Sequence, residues 1–169
     1  MRRWFRPSIW AWAVGVAAVD QATKYWALEA LTRGRRIDLI GELLGLELVF
    51  NSGAAFSLLR DVTWIVTVVM VIVAAGLVYY SPRARGTLGV VLFGAAIGGA
   101  VGNLIDRLFR EPGFGRGHVV DMIAYGDWFV GNVADIAIVG CAGIAVFASV
   151  RGVPLLAEPK PGANQAEGE

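Results

Sequence analysis

Trp128-Phe129-Val130-Gly131-Asn132-Val133-Ala134-Asp135, continuing from Ile136 to Val150, is apolar nearly throughout and carries a single carboxylate, that of Asp135. The run is long enough to cross a bilayer, which takes about 20 residues. A carboxylate inside such a span costs about 2.5–3.5 kcal/mol on insertion scales, so it marks a functional site by default. Upstream, the short stretch Val119-Val120-Asp121 supplies a second aspartate. Two aspartates that meet can share one proton and divide acid and base duties.

The rest of the chain has the same character. Of 169 residues 56% are hydrophobic and only 17% charged, against about 25% charged in soluble domains. The apolar residues are gathered into long runs, which indicates a polytopic membrane protein. A net charge of +1 gives no support to nucleic-acid binding. Cys141 is the single cysteine. It excludes an internal disulfide and reads as a packing residue, and no Cys/His cluster has metal-ligand spacing.

Four spans are expected, at Ser8–Leu28, Val62–Tyr80, Thr87–Ile105 and Trp128–Val150. Trp10, Trp12, Tyr25, Trp26, Trp64, Tyr79, Tyr80 and Trp128 mark their ends as an interfacial belt. The first run follows Arg2, Arg3 and Arg6 but continues past Asp20 to Leu28, which favours a retained helix over a cleaved signal peptide. Four spans put both termini on one side. Lysine and arginine are balanced between the two sides, and the basic residues before the first helix place the N-terminus in the cytoplasm.

Polar residues gather near one end of these spans. Asp20 and Lys24 are four apart, on one helical face, and read as a structural ion pair near the outer interface or as residues with a direct substrate role. Leu44, Leu46, Leu48 and Phe50 alternate with Gly45, Glu47, Val49 and Asn51, which predicts a strand. It either receives an extended peptide by strand addition or belongs to a small sheet capping the bundle. Gly94, Gly98 and Gly102 stack on one helical face for close packing, with Gly99 beside them. Asn103 and Arg107 share a face near Asp106. Arg107 could neutralise a carboxylate or grip a polar head group, but reads first as an interfacial anchor that snorkels. His118 reads as an ordinary loop residue, since no second histidine or cysteine supports a general base. Asp127 reads as the N-cap of the fourth span, and Asn132 and Asp135 as neighbours on its first turn. From Val153 to Glu169 a polar, Pro- and Gly-rich stretch reads as a disordered tail.

Three chemistries compete for this inventory. A Ser/Lys peptidase would use Ser52 or Ser57 with Lys24 as base, but Asp20 one turn away keeps Lys24 charged. A proton or ion pathway would need polar groups through the whole membrane depth. An aspartic peptidase would use Asp121 and Asp135 to activate water and protonate the leaving group, with asparagines orienting the carboxylates. The clustering at one end favours the last. A lipid-binding or assembly protein held together by its glycine face is the blandest alternative.

The chain resembles the lipoprotein signal peptidases, or type II signal peptidases. The resemblance rests on Val19-Asp20-Gln21-Ala22-Thr23-Lys24, Asn51-Ser52-Gly53-Ala54-Ala55-Phe56-Ser57, Gly98 through Arg107, Gly117-His118-Val119-Val120-Asp121 and Asn132-Val133-Ala134-Asp135, in that order. Gly131 stands where the family usually has an aromatic residue, and the segment between Asp121 and Asn132 is short. The resemblance implies an all-α membrane protein of four transmembrane helices with a small extracytoplasmic β-sheet. Residues 1–152 would form the peptidase domain, with extracytoplasmic loops at 29–61 and 107–128, and residues 153–169 a cytoplasmic tail. It implies an intramembrane aspartic endopeptidase of the bacterial inner membrane, monomeric, with both termini cytoplasmic, no metal and no cofactor, and sensitive to globomycin. Its partners would be membrane phospholipids and diacylglyceryl-modified prolipoproteins, cut before the lipidated cysteine. Asp121 and Asp135 would be catalytic, with Asp20, Lys24, Asn51, Asn103, Arg107 and Asn132 in support or binding substrate.

Overall fold

The computed structural model describes residues 6–53 and 63–157. Helix α1 spans Pro7–Ala30, with Pro7 at its first position, where the missing N–H costs nothing. Strands β1 (Arg36–Ile40) and β2 (Leu44–Asn51) follow, then helix α2 (Thr63–Tyr80), a 3-10 turn at Ser81–Arg83 and helix α3 (Gly86–Phe109). Strands β3 (Val119–Tyr125) and β4 (Phe129–Gly131) lead into helix α4 (Val133–Val150). Residues 54–62 hold part of the Asn51–Ser57 motif, Arg60 and the expected first residue of the second span. They lie outside the described residues, as do Arg2, Arg3 and residues 158–169.

Among the described residues, three helices are long and apolar enough to cross a membrane: α2 with its following turn, α3 and α4. The chain is therefore an integral membrane protein. The first helix has the length but carries Asp20, Lys24 and Glu29 in its second half. The fourth apolar segment is shorter at its start than its hydropathy suggests. Trp128 lies in a turn and Phe129–Gly131 form a strand, so the helix begins only at Val133. Asp127 does not cap it; that aspartate sits in the β3–β4 turn, 3.3 Å from Arg36.

The glycine face of α3 receives α1. A methyl group at Gly94 would stand 2.7 Å from the Ile9 carbonyl, and one at Gly98 2.5 Å from that of Ala13. At Gly102 it would collide with the Asp20 carboxylate. Gly99 faces the other way, where a methyl group would lie 2.8 Å from the Ala134 carbonyl of α4. Only glycine allows both neighbours to approach this closely.

The four strands form one antiparallel sheet in the order β1-β2-β3-β4. Strand β2 has the bounds that its alternation predicts, with a bulge between Leu46 and Val49. Leu48, Val120 and Met122 bury against Ala27 and Leu31 at the end of α1, which seats the sheet on the helices. Both edges of β2 are already paired, with β1 and with β3. Strand addition to β2 is therefore blocked, and the capping-sheet alternative holds.

The first part of the expected tail is ordered. Ala84 and Leu156 form a β-bridge, Arg85 N–H donates to the Leu155 carbonyl at 2.7 Å, and Ala157 N–H donates to that of Arg83 at 2.8 Å. Backbone pairing overrides the composition of residues 153–157, because such bonds need no particular side chain.

Candidate active site

Register sets the first half of the site. Asn51 pairs with Val119 and Val49 with Asp121 across β2 and β3. Residues two apart on a strand share a face, so Asn51 reaches diagonally and donates to Asp121 Oδ2 at 2.9 Å. The second half is the start of α4. Asn132 is its N-cap, accepting the Asp135 N–H at 3.0 Å, while Asp135 Oδ2 accepts the Asn132 N–H at 3.1 Å. This reciprocal capping box fixes Asp135 in the first turn.

Asparagine amides join the two aspartates. Asn132 Nδ2 donates to Asp121 Oδ1 at 2.6 Å and approaches Asn103 Oδ1 at 3.2 Å. Asn103 Nδ2 donates to Asp135 Oδ1 at 2.9 Å, and its oxygen accepts from Lys24 at 2.8 Å. Lysine has donors only, so Lys24 forces the amide of Asn103 to turn its oxygen inward and its nitrogen toward Asp135.

Beneath lies a fully buried ionic cluster. Lys24 pairs with Asp20 at 2.8 Å and Asp106 at 2.9 Å, and all three side chains are inaccessible to solvent. Each aspartate also grips backbone. Asp106 Oδ2 accepts the Val120 N–H at 3.0 Å, and Asp20 Oδ1 accepts the Ala134 N–H at 2.9 Å. Gln21 bridges them, donating to Asp20 Oδ2, Asp106 Oδ1 and the Gly102 carbonyl, while Arg110 Nε reaches Asp106 at 2.7 Å. With three acceptors around its ammonium, Lys24 is a charged strut and not the base of a Ser/Lys pair.

Arg107 does not snorkel. It is 2% exposed, donates to the Gly117 carbonyl at 3.0 Å, and its Nε is buried with no acceptor among the described residues. Glycine is required at Gly53, where φ is +80° and a methyl group would lie 2.8 Å from this guanidinium.

Burial pushes the Asp121 carboxyl up to about 6; the hydrogen bond from Asn51 opposes the rise and the charge of Asp135 adds to it. Tyr125 is raised by burial and then by the Asp135 charge, and its ring stacks on Phe129 at 4.7 Å. His118 is lowered by burial and by the charges of Arg107 and Arg33. Its backbone N–H bonds Glu111. Among the described residues, no three His, Cys, Asp or Glu side chains are grouped as metal ligands would be.

Of the residues singled out in the sequence, Asp20, Lys24, Asn51, Asn103, Asp121, Asn132 and Asp135 fall in one hydrogen-bonded network. Arg107 stands beside it, within electrostatic reach of Asp106 and Asp121. Sequence reasoning gave no role to Gln21 and Arg110. Gln21 was legible in principle, since it sits between the paired Asp20 and Lys24.

In sequence and in overall fold the chain is similar to known proteins. The family model for signal peptidase (SPase) II matches residues 12–151. The chain is 43% identical over 144 residues to a lipoprotein signal peptidase of Leifsonia xyli subsp. xyli, covering 85% of this chain and 67% of that protein. It is 42% identical over 140 residues to the lipoprotein signal peptidase of Mycobacterium avium, covering 83% and 77%. A bacterial membrane enzyme solved by the in meso method at 1.9 Å is similar in structure, with a TM-score of 0.74 and 25% identity over 87% of this chain and 95% of that one. A second, at 2.3 Å, gives a TM-score of 0.70 at 25% identity over 98% and 95%. By the family model and by these relatives, the chain belongs to the signal peptidase II family.

Proposed function

We propose that the chain is an intramembrane aspartic endopeptidase that cuts diacylglyceryl-modified prolipoproteins before the lipidated cysteine, with Asp121 and Asp135 as its catalytic pair. The observation that carries this reading is the amide relay from Asp121 through Asn132 and Asn103 to Asp135. It holds two carboxylates from separate elements toward one place, each still with lone pairs for water and substrate.

In this mechanism one aspartate removes a proton from water as the water attacks the scissile carbonyl. The other donates its proton to the carbonyl oxygen; as the diol collapses, the first aspartate passes the water's proton to the leaving nitrogen and the second takes a proton back from the diol hydroxyl, which restores the pair. A coupled pair titrates as a unit, so the two duties belong to the pair. The Asn103 and Asn132 donors stabilise the ionised member. Arg107, at the edge of the site with an unused buried N–H, binds substrate carbonyl oxygens, of the peptide or of the acyl esters.

Helix α1 serves as the fourth span. Its length of 24 residues suffices, and Trp12, Val14, Val19 and Trp26 on its surface suit lipid. Asp20 and Lys24 are neutralised as a buried pair at its sheet end. The sheet faces the extracytoplasmic side of the inner membrane, both termini the cytoplasm, and the enzyme works as a monomer. Residues 1–152 make up the peptidase domain, and the rest is tail.

Processing of a lipid-modified precursor by purified protein tests the reading. Asp121→Asn and Asp135→Asn each abolish cleavage while the protein still inserts, and globomycin blocks the native enzyme. Full turnover by either variant rejects the catalytic pair.

A further inference from the structure

Away from the aspartates, a second feature occupies the opposite half of the helices. An apolar cavity of about 220 Å³ opens between α2, α3 and α4, lined by Val73, Leu77, Phe93, Ala96, Ala142 and Leu155, among others. The lining residues on α2 and α3 fall in the second half of the one and the first half of the other, next to the turn that joins them. Leu155 comes from the ordered start of the C-terminal segment and floors the cavity. Its carbonyl accepts the Arg85 N–H, and it packs so near α3 that a methyl group at Gly89 would stand 2.7 Å from it.

Arginines surround this end. Arg83 lies over the Tyr79 and Tyr80 rings at 5.5 and 5.2 Å, and Arg151 over Phe147 at 4.8 Å. Arg83, Arg85 and Arg151 are exposed, and none has a carboxylate partner among the described residues. An apolar cavity and a set of unneutralised cations therefore lie at the same end of the molecule.

We propose that this end of the molecule is a binding site for an anionic phospholipid of the adjacent leaflet. One acyl chain enters the cavity between α2 and α4, and the phosphate rests on Arg83, Arg85 and Arg151. The size suits this occupant. A cavity of about 150 Å³ already accepts a benzene-sized guest, so this one takes several methylenes of a linear chain. A transmembrane helix, about 10 Å across, is too thick for it. The charge selects the headgroup: basic pockets between helices at a membrane surface favour anionic lipids, and planar guanidinium matches phosphate oxygens in pairs. The inference is independent of the peptidase reading, since no residue of the site near Asp121 takes part.

Native mass spectrometry of the full chain, released from detergent with equimolar phosphatidylglycerol and phosphatidylcholine of identical acyl chains, tests it. The expected result is at least a fivefold preference for phosphatidylglycerol. The double variant Arg83→Gln/Arg85→Gln loses that preference, and Ala142→Phe, which fills the cavity, loses tight binding of both lipids. Ala145→Leu, a smaller intrusion at another lining position, carries the same expectation if the phenylalanine variant fails to fold. Equal binding of the two lipids by the native chain overturns the proposal. So does a preference that survives the arginine changes, or undiminished binding in the cavity-filled variant that folds. Precursor cleavage continues in all of these variants, which separates failure here from failure of the peptidase reading.

Discussion

Asp20 on α1 accepts the backbone N–H of Ala134 at 2.9 Å, one residue before Asp135. Asp106 on α3 does the same for Val120 at 3.0 Å, one residue before Asp121. Lys24 holds both anchors, at 2.8 and 2.9 Å. One buried ammonium thus sets the positions of two carboxylates that lie on different elements and reach the site from different directions.

Lys24→Met therefore damages more than an ion pair. It leaves buried Asp20 without a cation and Asp106 with Arg110 alone, and breaking a buried pair in this way costs about 3–5 kcal/mol. The variant shows a large drop in melting temperature in detergent, and its folded fraction cleaves precursor slowly because both anchors loosen. Asp121→Asn, by contrast, is inactive with a melting temperature near or above that of the native protein. Equal stability of the two variants contradicts this division between strut and catalyst.

Asn132 has two separable duties. Its oxygen caps α4 and its nitrogen donates to Asp121. Asn132→Ser keeps a capping oxygen for α4 but is too short to donate to Asp121. Stability should stay close to native, whereas turnover falls about 100-fold or more, the usual cost of removing a donor from developing charge. Asn132→Ala loses both functions and about a further 1 kcal/mol of helix capping. Rates on a fluorescent lipidated peptide, read beside thermal melts, separate the two changes.

The raised Asp121 carboxyl has a signed effect on stability. An unfolded aspartate titrates near 3.9, and this one is pushed up to about 6, chiefly by burial. Between those values the folded state binds more protons than the unfolded state. Stability consequently falls as pH rises from about 4 to 6, by about 3 kcal/mol in all. Melting curves across that window show the decline in the native protein and its loss in Asp121→Asn. Asn51→Leu removes a hydrogen bond that opposes the rise, so the corresponding limb of kcat/KM moves to higher pH. A limb that stays in place would falsify the link between Asn51 and Asp121.

Which parts of this architecture were legible in the sequence follows from how each part is encoded. Strand β2 alternates, and its bounds could be read directly. Strand β3 is buried on both faces over Val119–Met122, so Val-Val-Asp-Met shows no period. Strand β4 is apolar and runs into α4, which hid both the strand and the helix start. The Asp20–Lys24 pair was legible because helical spacing is local. The partner Asp106 lies far along the chain, and only the close approach of α1 to the glycine face of α3 brings it to Lys24. The tail pairing at Leu155–Ala157 uses backbone groups and leaves no mark in side-chain pattern.

The glycines of α3 give the last test, because position alone distinguishes them from those of α4. At Gly98 a methyl group would stand 2.5 Å from the Ala13 carbonyl, and backbone cannot move aside as a flexible side chain can. At Gly143 nothing lies within 4 Å. Intrinsic propensity favours alanine over glycine in a helix by about 1 kcal/mol at either place. Gly143→Ala should therefore be neutral or slightly stabilising. Gly98→Ala should lower the melting temperature and, by pushing α1 from α3, slow cleavage without any contact with substrate. The separation of α1 from α3 also lengthens the Lys24–Asp106 contact, so the loss in Gly98→Ala should not add to the loss in Lys24→Met. Strict additivity in that double variant would mean that the helix contact and the ionic cluster act independently, contrary to the packing of Asp20 against Gly102 seen here.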